Sequence, residues 1–402
     1  MRPSRRRRRL PVALGALVLA MLAFGIWLGA RHPGWLPGPV RAVLVGDASS
    51  AVVREAIDDV SRTYYREIPK EQLADNAIEG VVKRLDDRFS NYFTAAEYKR
   101  FKESQNSEFS GIGLAVSEHR RGLRVEEVYD GSPADRAGIA PGDIVVAAAG
   151  HDLTGRSQDE SVSFIKGPPG TEVKVTWLHD GARRTKVITR STVSVPVVAS
   201  ELERAGACKV GVVRLAQFSS GAHGEVYAAL RKAKKAGATG FVLDLRGNGG
   251  GLVNEAQLVA SAFLPDGVIV TTRGRAVRER TLRASGDPVV PKQPLVVLVD
   301  KHTASASEIV TGALQDRHRA EVVGTRTFGK GVFQQILELS NGGALDITAG
   351  QYFTPSGRNL GGRGARPGSG ISPDVMAMDD PKTKRDEAKA RALSVLASSC
   401  RG

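Results

Sequence analysis

At 402 residues the chain is longer than one compact core comfortably fills, which sets an expectation of two or three domains. Its 41% hydrophobic and 25% charged residues are ordinary for a globular protein, and its 45 Gly and 19 Pro fall in short turn segments rather than one low-complexity block. The net charge of +14 is concentrated at one end: residues 1–45 carry eight Arg and no acid. Beyond them no Lys/Arg block is interleaved with aromatics, which argues against a nucleic-acid partner.

The N-terminus accounts for its own charge. Arg5 to Arg9 close a basic stretch over residues 1–9, and residues 10–30 contain no ionisable side chain. At 1.5 Å per residue that run makes roughly 30 Å of helix, enough to cross a bilayer. The upstream arginines favour keeping their end in the cytoplasm, which places the rest of the chain outside it. A retained membrane anchor is favoured over a cleaved signal segment. The run is longer than an ordinary signal core, and Leu28-Gly29-Ala30 is a poor small-x-small cleavage site. Secretion after cleavage is the alternative.

Residues 31–49 read as a linker. Over 50–105 the pattern turns helical: Val53, Ile57, Val60 and Tyr64 recur at helical spacing, then Leu73, Ala77, Val81 and Leu85, with Pro69 between the two sets. Nothing in this helical N-terminal module looks catalytic.

Residues 106–192 change character. Strand-like stretches such as GIGLAVS, LRVEEVY and EVKVTWLH are joined by turn clusters, which predicts a mostly-β domain. Gly111, Ile112, Gly113 and Leu114 form a glycine-bearing loop that enters a strand, and GSPADRAGI followed by PGD comes later. Together these resemble a PDZ domain. The resemblance implies that backbone N–H groups of the Gly111–Leu114 loop capture a peptide's terminal carboxylate while the peptide adds to the sheet edge. From 193 to 380 apolar strands alternate with helices, the pattern of an α/β layer. Residues 381–402 read as a C-terminal helix or tail. Cys208 and Cys400 could pair after export, but a frayed tail around Cys400 favours two unpaired thiols, and the sequence offers no zinc-ligand spacing.

Three segments could carry chemistry. In TASASEIVTGALQD, Ser305 stands where an apolar strand turns into a helix, at the positive helix end; alone, a serine there is an ordinary N-cap. GTRTFGKG matches most of a phosphate-loop pattern, but Gly331 replaces the metal-binding hydroxyl residue and a strand-like VFQQILEL follows instead of a helix. The phosphate reading fails. A desolvated lysine in such a place can act as a base, and Ser–Lys pairs are a known variant of the nucleophile–base arrangement. The third segment, DLRGNGGG, is a strand end opening into glycines with bare N–H groups. A Ser–His–Asp system is the rival, with His302 and His318 nearest the serine, but both sit beside solvent-facing turns.

In this order the three segments resemble the carboxy-terminal processing peptidases, or tail-specific proteases, over about residues 50–380. The resemblance implies an α/β catalytic core of the ClpP/crotonase-like kind with an inserted PDZ domain and a helical N-terminal module. It implies Ser305 as nucleophile, Lys330 as base and Gln334 as the residue orienting the lysine. Strand alternation would put Lys330 and Gln334 on one face. The implied oxyanion donors are the N–H groups of Ala306 and of Gly250 or Gly251. Lys166 stands where relatives carry an arginine that couples the PDZ domain to the catalytic centre. The implied partners are unfolded or tail-exposed proteins and, through the anchor, the membrane; no cofactor is called for, and a homo-oligomer is left open. A PDZ adaptor on a silent core is the competing reading, and the complete Ser–Lys–Gln set argues against it.

Overall fold

The computed structural model describes residues 48–361, 365–380 and 382–400. The expected anchor at 10–30, and all but the last two residues of the 31–49 segment, lie outside the described residues. Among the described residues no helix is long and apolar enough to cross a membrane.

The chain divides into two units, one ending at Asp87 and one beginning at Arg88. In the first, α1 (Ala48–Thr63) and α2 (Lys70–Lys83) are joined by an ion pair from Lys70 Nζ to Asp58 Oδ1 at 2.6 Å. Pro69 is the N-cap of α2 and separates the helices as its rigid φ predicts. Among the described residues the apolar stripes are only partly covered: Val53, Val60, Tyr64, Val81 and Leu85 are exposed, Ile57, Leu73 and Ala77 are half-buried, and Val82 is buried. Two helices of this length offer each other too little surface to cover both stripes.

The second unit opens with β1 (Asn91–Phe93) and α3 (Ala95–Ser104), whose N-cap Thr94 forms a reciprocal capping box with Glu97. β2 (Glu108–Gly111) leads into a β-rich domain. That domain holds β3 (Leu114–His119), β4 (Gly122–Val128), α4 (Pro133–Ala137), β5 (Ile144–Ala148), β6 (His151–Asp152), α5 (Gln158–Ile165), β7 (Glu172–His179) and β8 (Ala182–Thr189). The chain leaves through β9 (Ser191–Ser194), which pairs antiparallel with β2, so entry and exit form one two-stranded ribbon. The sheet order is β3-β4-β5-β7-β8, with β6 on β5. Its core gathers Leu123, Val125, Val145, Val175 and Trp177 with Ile112 and Ile165.

The remainder forms the α/β layer. It comprises β10 (Val198–Ala205), β11 (Cys208–Leu215), α6 (Ala222–Lys235), β12 (Gly240–Asp244), α7 (Val253–Ser261), β13 (Val268–Arg273), β14 (Arg280–Arg283) and β15 (Leu295–Val299). Then come α8 (Ala306–Asp316), β16 (Glu321–Gly324), β17 (Val332–Glu338), β18 (Ala344–Phe353), β19 (Val375–Met376) and α9 (Glu387–Ser399). The main sheet runs β10-β11-β12-β15-β16-β19, parallel from β11 onward. β12 and β15 are buried at every position, as parallel strands covered on both faces must be. Their side chains alternate: Phe241, Leu243, Leu295, Val297 and Val299 meet the layer of α6, α7 and α8, while Val242, Val296 and Leu298 meet α9. A second sheet, β1-β18-β13-β14 with β17 on β18, carries the lysine segment.

The C-terminal segment corrects one expectation. α9 is not a frayed tail, because Ala388, Ala392 and Leu396 are buried against the sheet. That docking carries Cys400 to the start of β11, where it forms a disulfide with Cys208 across a sequence separation of 192.

Candidate active site

In a parallel sheet, sites form beyond the carboxyl ends of the strands. Here two neighbouring strand ends supply two turns. β15 ends at Val299, and residues 300–304 lead to Ser305, the N-cap of α8. Ser305 is buried and holds φ 56° and ψ −116°, backbone angles that a non-glycine residue adopts only when its surroundings impose them. α8 is buried from Ala306 through Leu314, so polar Ser307, Glu308 and Thr311 are inside as well.

β12 ends at Asp244, and Arg246 to Gly251 wrap against that N-cap. Gly250 has φ 107°, and a Cβ there would lie 2.8 Å from Ser305 Cβ and 3.0 Å from Ala306 N. Only glycine lets the two turns approach so closely. Buried Asn248 fixes the turn: its Nδ2 donates to Leu215 O at 2.8 Å and its Oδ1 accepts from Gly250 N at 2.9 Å. Its carbonyl accepts from Ala304 N at 3.1 Å and Ser307 Oγ at 2.9 Å. The Gly250 N–H is thereby spent, which removes it from the expected oxyanion donors. Among the described residues the N–H groups of Ala306 and Gly251 make no hydrogen bond.

Lys330 reaches the same place through a residue that pattern reading passed over. Glu308, fully buried on α8, accepts from Ser305 N at 3.0 Å and Lys330 N at 2.9 Å, both on Oε2. On Oε1 it accepts from Gly329 N at 2.7 Å and Thr327 Oγ1 at 2.5 Å. Two nitrogens on one oxygen lie within about 6 Å of each other, so this carboxylate ties the serine and lysine backbones together. Burial pushes the Glu308 carboxyl above its ordinary range, and the donors from Thr327, Lys330, Gly329 and Ser305 oppose that push. The same bonds explain physically why the segment is no phosphate loop: the N–H groups of Gly329 and Lys330 already hold a carboxylate. The Lys330 ammonium end lies over the Phe89 ring, 4.8 Å from its centroid. Tyr352 on β18 is also buried here; burial raises its phenol well above the usual value, opposed by a hydrogen bond with Ser305.

The sequence model of peptidase family S41 matches residues 209–377, and that of the PDZ domain matches residues 124–178. A "Carboxyl-terminal-processing protease" of Synechocystis sp. is 35% identical over 326 residues, spanning 80% of this chain and 76% of that protein. The chain belongs to peptidase family S41. A "Probable CtpA-like serine protease" of Staphylococcus epidermidis is 36% identical over 315 residues, 78% of this chain. The match spans 63% of that relative's length. Among solved structures, the photosystem II D1 C-terminal processing protease matches 87% of this chain and 98% of its own, at 28% identity and a TM-score of 0.50.

The other expected S41 site residues are less tightly gathered. Gln334 on β17 donates from Nε2 to Thr348 Oγ1 at 3.1 Å. The even-spacing argument does not reach Lys330, which precedes β17 and so lies outside the strand that carries Gln334. Gly251 packs on Phe218 rather than on Ser305: a Cβ there would lie 2.4 Å from Phe218 O. In the PDZ domain, Gly111 ends β2, Leu114 opens β3, and the Ile112 carbonyl accepts from Ala134 N at 2.7 Å. The N–H groups of Ile112 and Gly113 make no hydrogen bond among the described residues. Gly113 has φ 89°, and a Cβ there would lie 2.2 Å from Ser132 Cβ. Lys166, the C-cap of α5, pairs with Glu103 of α3 at 3.1 Å. His302 and His318 are exposed, as their turns suggested.

Proposed function

We propose that this chain is a serine endopeptidase of the carboxy-terminal processing kind, with Ser305 as nucleophile, Lys330 as general base and Gln334 as the residue orienting the lysine. One observation carries the reading: a single buried oxygen of Glu308 receives the backbone N–H of both Ser305 and Lys330. Deprotonated Lys330 takes the hydroxyl proton of Ser305, whose oxygen attacks the scissile carbonyl carbon. The N–H groups of Ala306 and Gly251 hold the resulting oxyanion, while Gly250 supplies the space beside them. The C–N bond then breaks, the leaving amine takes the proton from Lys330, and an acyl ester remains on Ser305. A water that gives a proton to Lys330 attacks that ester, the bond from Ser305 Oγ to the acyl carbon breaks, and Oγ takes the proton back from Lys330 as the new carboxyl end leaves.

Substrates in this reading are unfolded or tail-exposed proteins, whose terminal carboxylate meets the Ile112 and Gly113 N–H groups of the PDZ loop while the chain adds along β3. The core is of the ClpP/crotonase-like kind, and the helical N-terminal module precedes it in the chain. We place the enzyme outside the cytoplasm, held by the 10–30 anchor or released after its cleavage. The Cys208–Cys400 disulfide supports an oxidising compartment. The test is cleavage of an unstructured reporter protein by the full chain and by Ser305→Ala. The variant should bind a tail peptide as the parent does and cleave nothing; undiminished cleavage would overturn the assignment.

A further inference from the structure

The turn that lies against Ser305 is poor in side chains. Of residues 247–251 only Asn248 is not glycine, so the chain there has little conformational preference of its own. Its geometry must be imposed by what flanks it. On one flank stands Arg246, and its guanidinium does not reach toward the cleft. Nε and Nη2 donate to Asp244 at 3.0 and 2.7 Å, and Nη1 and Nη2 donate to the two oxygens of Asp386 at 2.8 and 2.9 Å. Nη1 also reaches Asp379 at 3.3 Å.

Both distant carboxylates belong to the C-terminal segment and have a second duty there. Asp386 is the N-cap of α9 and accepts from Lys389 N at 2.7 Å, and Asp379 accepts from Ala388 N at 2.9 Å. The helix that starts on these acids is held at its far end by the Cys208–Cys400 disulfide and along its length by burial on the sheet. Arg246 is mostly buried, with its side chain 14% exposed. A two-pronged Arg–carboxylate contact of that kind fixes orientation as well as distance. The arginine therefore joins a rigidly docked helix to the start of a turn whose middle is held by Asn248 and whose Gly247 N donates to Asp300 Oδ1 at 3.1 Å.

We propose that Arg246, gripped by Asp379 and Asp386, is a positioning residue for the oxyanion turn, so that the C-terminal segment takes part in catalysis without touching substrate. The inference rests on the assignment of Ala306 and Gly251 as oxyanion donors. It acts through Asn248, two residues on, which holds Gly250 against Ser305. Loss of the grip removes the restraint at the start of the turn, and small misplacements of catalytic groups are costly to rate.

The test uses the full chain. Arg246→Gln and, separately, Asp386→Asn are compared with the parent for reporter cleavage, tail-peptide affinity and thermal midpoint. Asparagine is itself a good N-cap, so Asp386→Asn keeps α9 capped and removes only the ion pair. The expected result, at a temperature where all three are folded, is a fall in kcat of about tenfold or more in both variants. KM and tail affinity should stay within about twofold, because the loss acts on the transition state rather than on binding. Arg246→Lys should recover only part of the rate, since an ammonium cannot make the two-pronged contact. A lowered thermal midpoint with kcat unchanged would make the network merely structural and overturn the inference. So would a loss confined to KM. If the parent itself cleaves nothing, the peptidase assignment fails first, which separates the two failures.

Discussion

The nucleophile helix and the joint between the PDZ domain and the core are built in opposite ways. Around α8, polar groups are buried and fully engaged: Glu308 takes four hydrogen bonds, and Asn248 fills both ends of its amide and its carbonyl. At the joint, the side-chain contacts are at least partly exposed. The β2–β9 ribbon spans it, Ser107 Oγ donates to Ser220 O at 2.7 Å, and Lys166 and Glu103 form an ion pair half open to solvent. Buried networks of this kind are rigid and unforgiving, whereas exposed pairs contribute little. The surroundings of Ser305 are thus held by buried bonds, and the joint by a ribbon and exposed pairs.

That contrast makes ordered predictions. The largest effect is expected at Gly250→Ala. The new methyl would collide with Ser305 Cβ and Ala306 N at a position with φ 107°, so reporter cleavage should fall at least about a hundredfold. Glu308→Gln comes next, because a carboxamide presents its own N–H groups to donors already aimed inward. Denaturant titration should show a loss of about 2–4 kcal/mol at neutral pH, with activity falling alongside. The pH dependence has a definite sign. Burial raises the folded-state value of Glu308, so the wild type is penalised as pH rises from its unfolded value through its folded one. The gap to Glu308→Gln should therefore narrow across that window and be widest below it.

These two residues also mark what the sequence could and could not tell. Ser305, Lys330 and the glycine turn were legible because each is a contiguous run of unusual residues at a strand end. Glu308 stood inside the same run, yet three of its four partners lie nineteen to twenty-two residues on in the chain, and no local pattern announces a buried carboxylate. Asn248 looked like one more turn residue. The strand alternation assumed for Lys330 and Gln334 does not apply because β17 begins only at Val332, a boundary set by pairing with β18 rather than by composition. The apolar stripes of α1 and α2 are real in spacing but only partly covered among the described residues, since periodicity reports helix and not what covers it.

Smaller effects test the rest of the comparison. Reducing Cys208–Cys400, or replacing both with Ser, should lower stability by about 2–5 kcal/mol, because a long loop is released in the unfolded chain. Calorimetry with and without reductant checks it, and an unchanged midpoint would mean that α9 docks without the bond. Lys166→Ala should be mildest, within about 1 kcal/mol in stability. Cleavage of a tailless reporter should be unaffected by it; a large loss there would move Lys166 from the exposed joint into the buried centre.

The central claim is that Ser305 attacks and Lys330 activates it. The most direct measurement is mass-spectrometric mapping of a serine-directed covalent probe on the full chain and on Lys330→Ala. The account predicts one modified peptide, carrying the label on Ser305, and strongly slowed labelling in the lysine variant although tail binding persists. Label on another residue, or labelling that proceeds equally fast without Lys330, would contradict it.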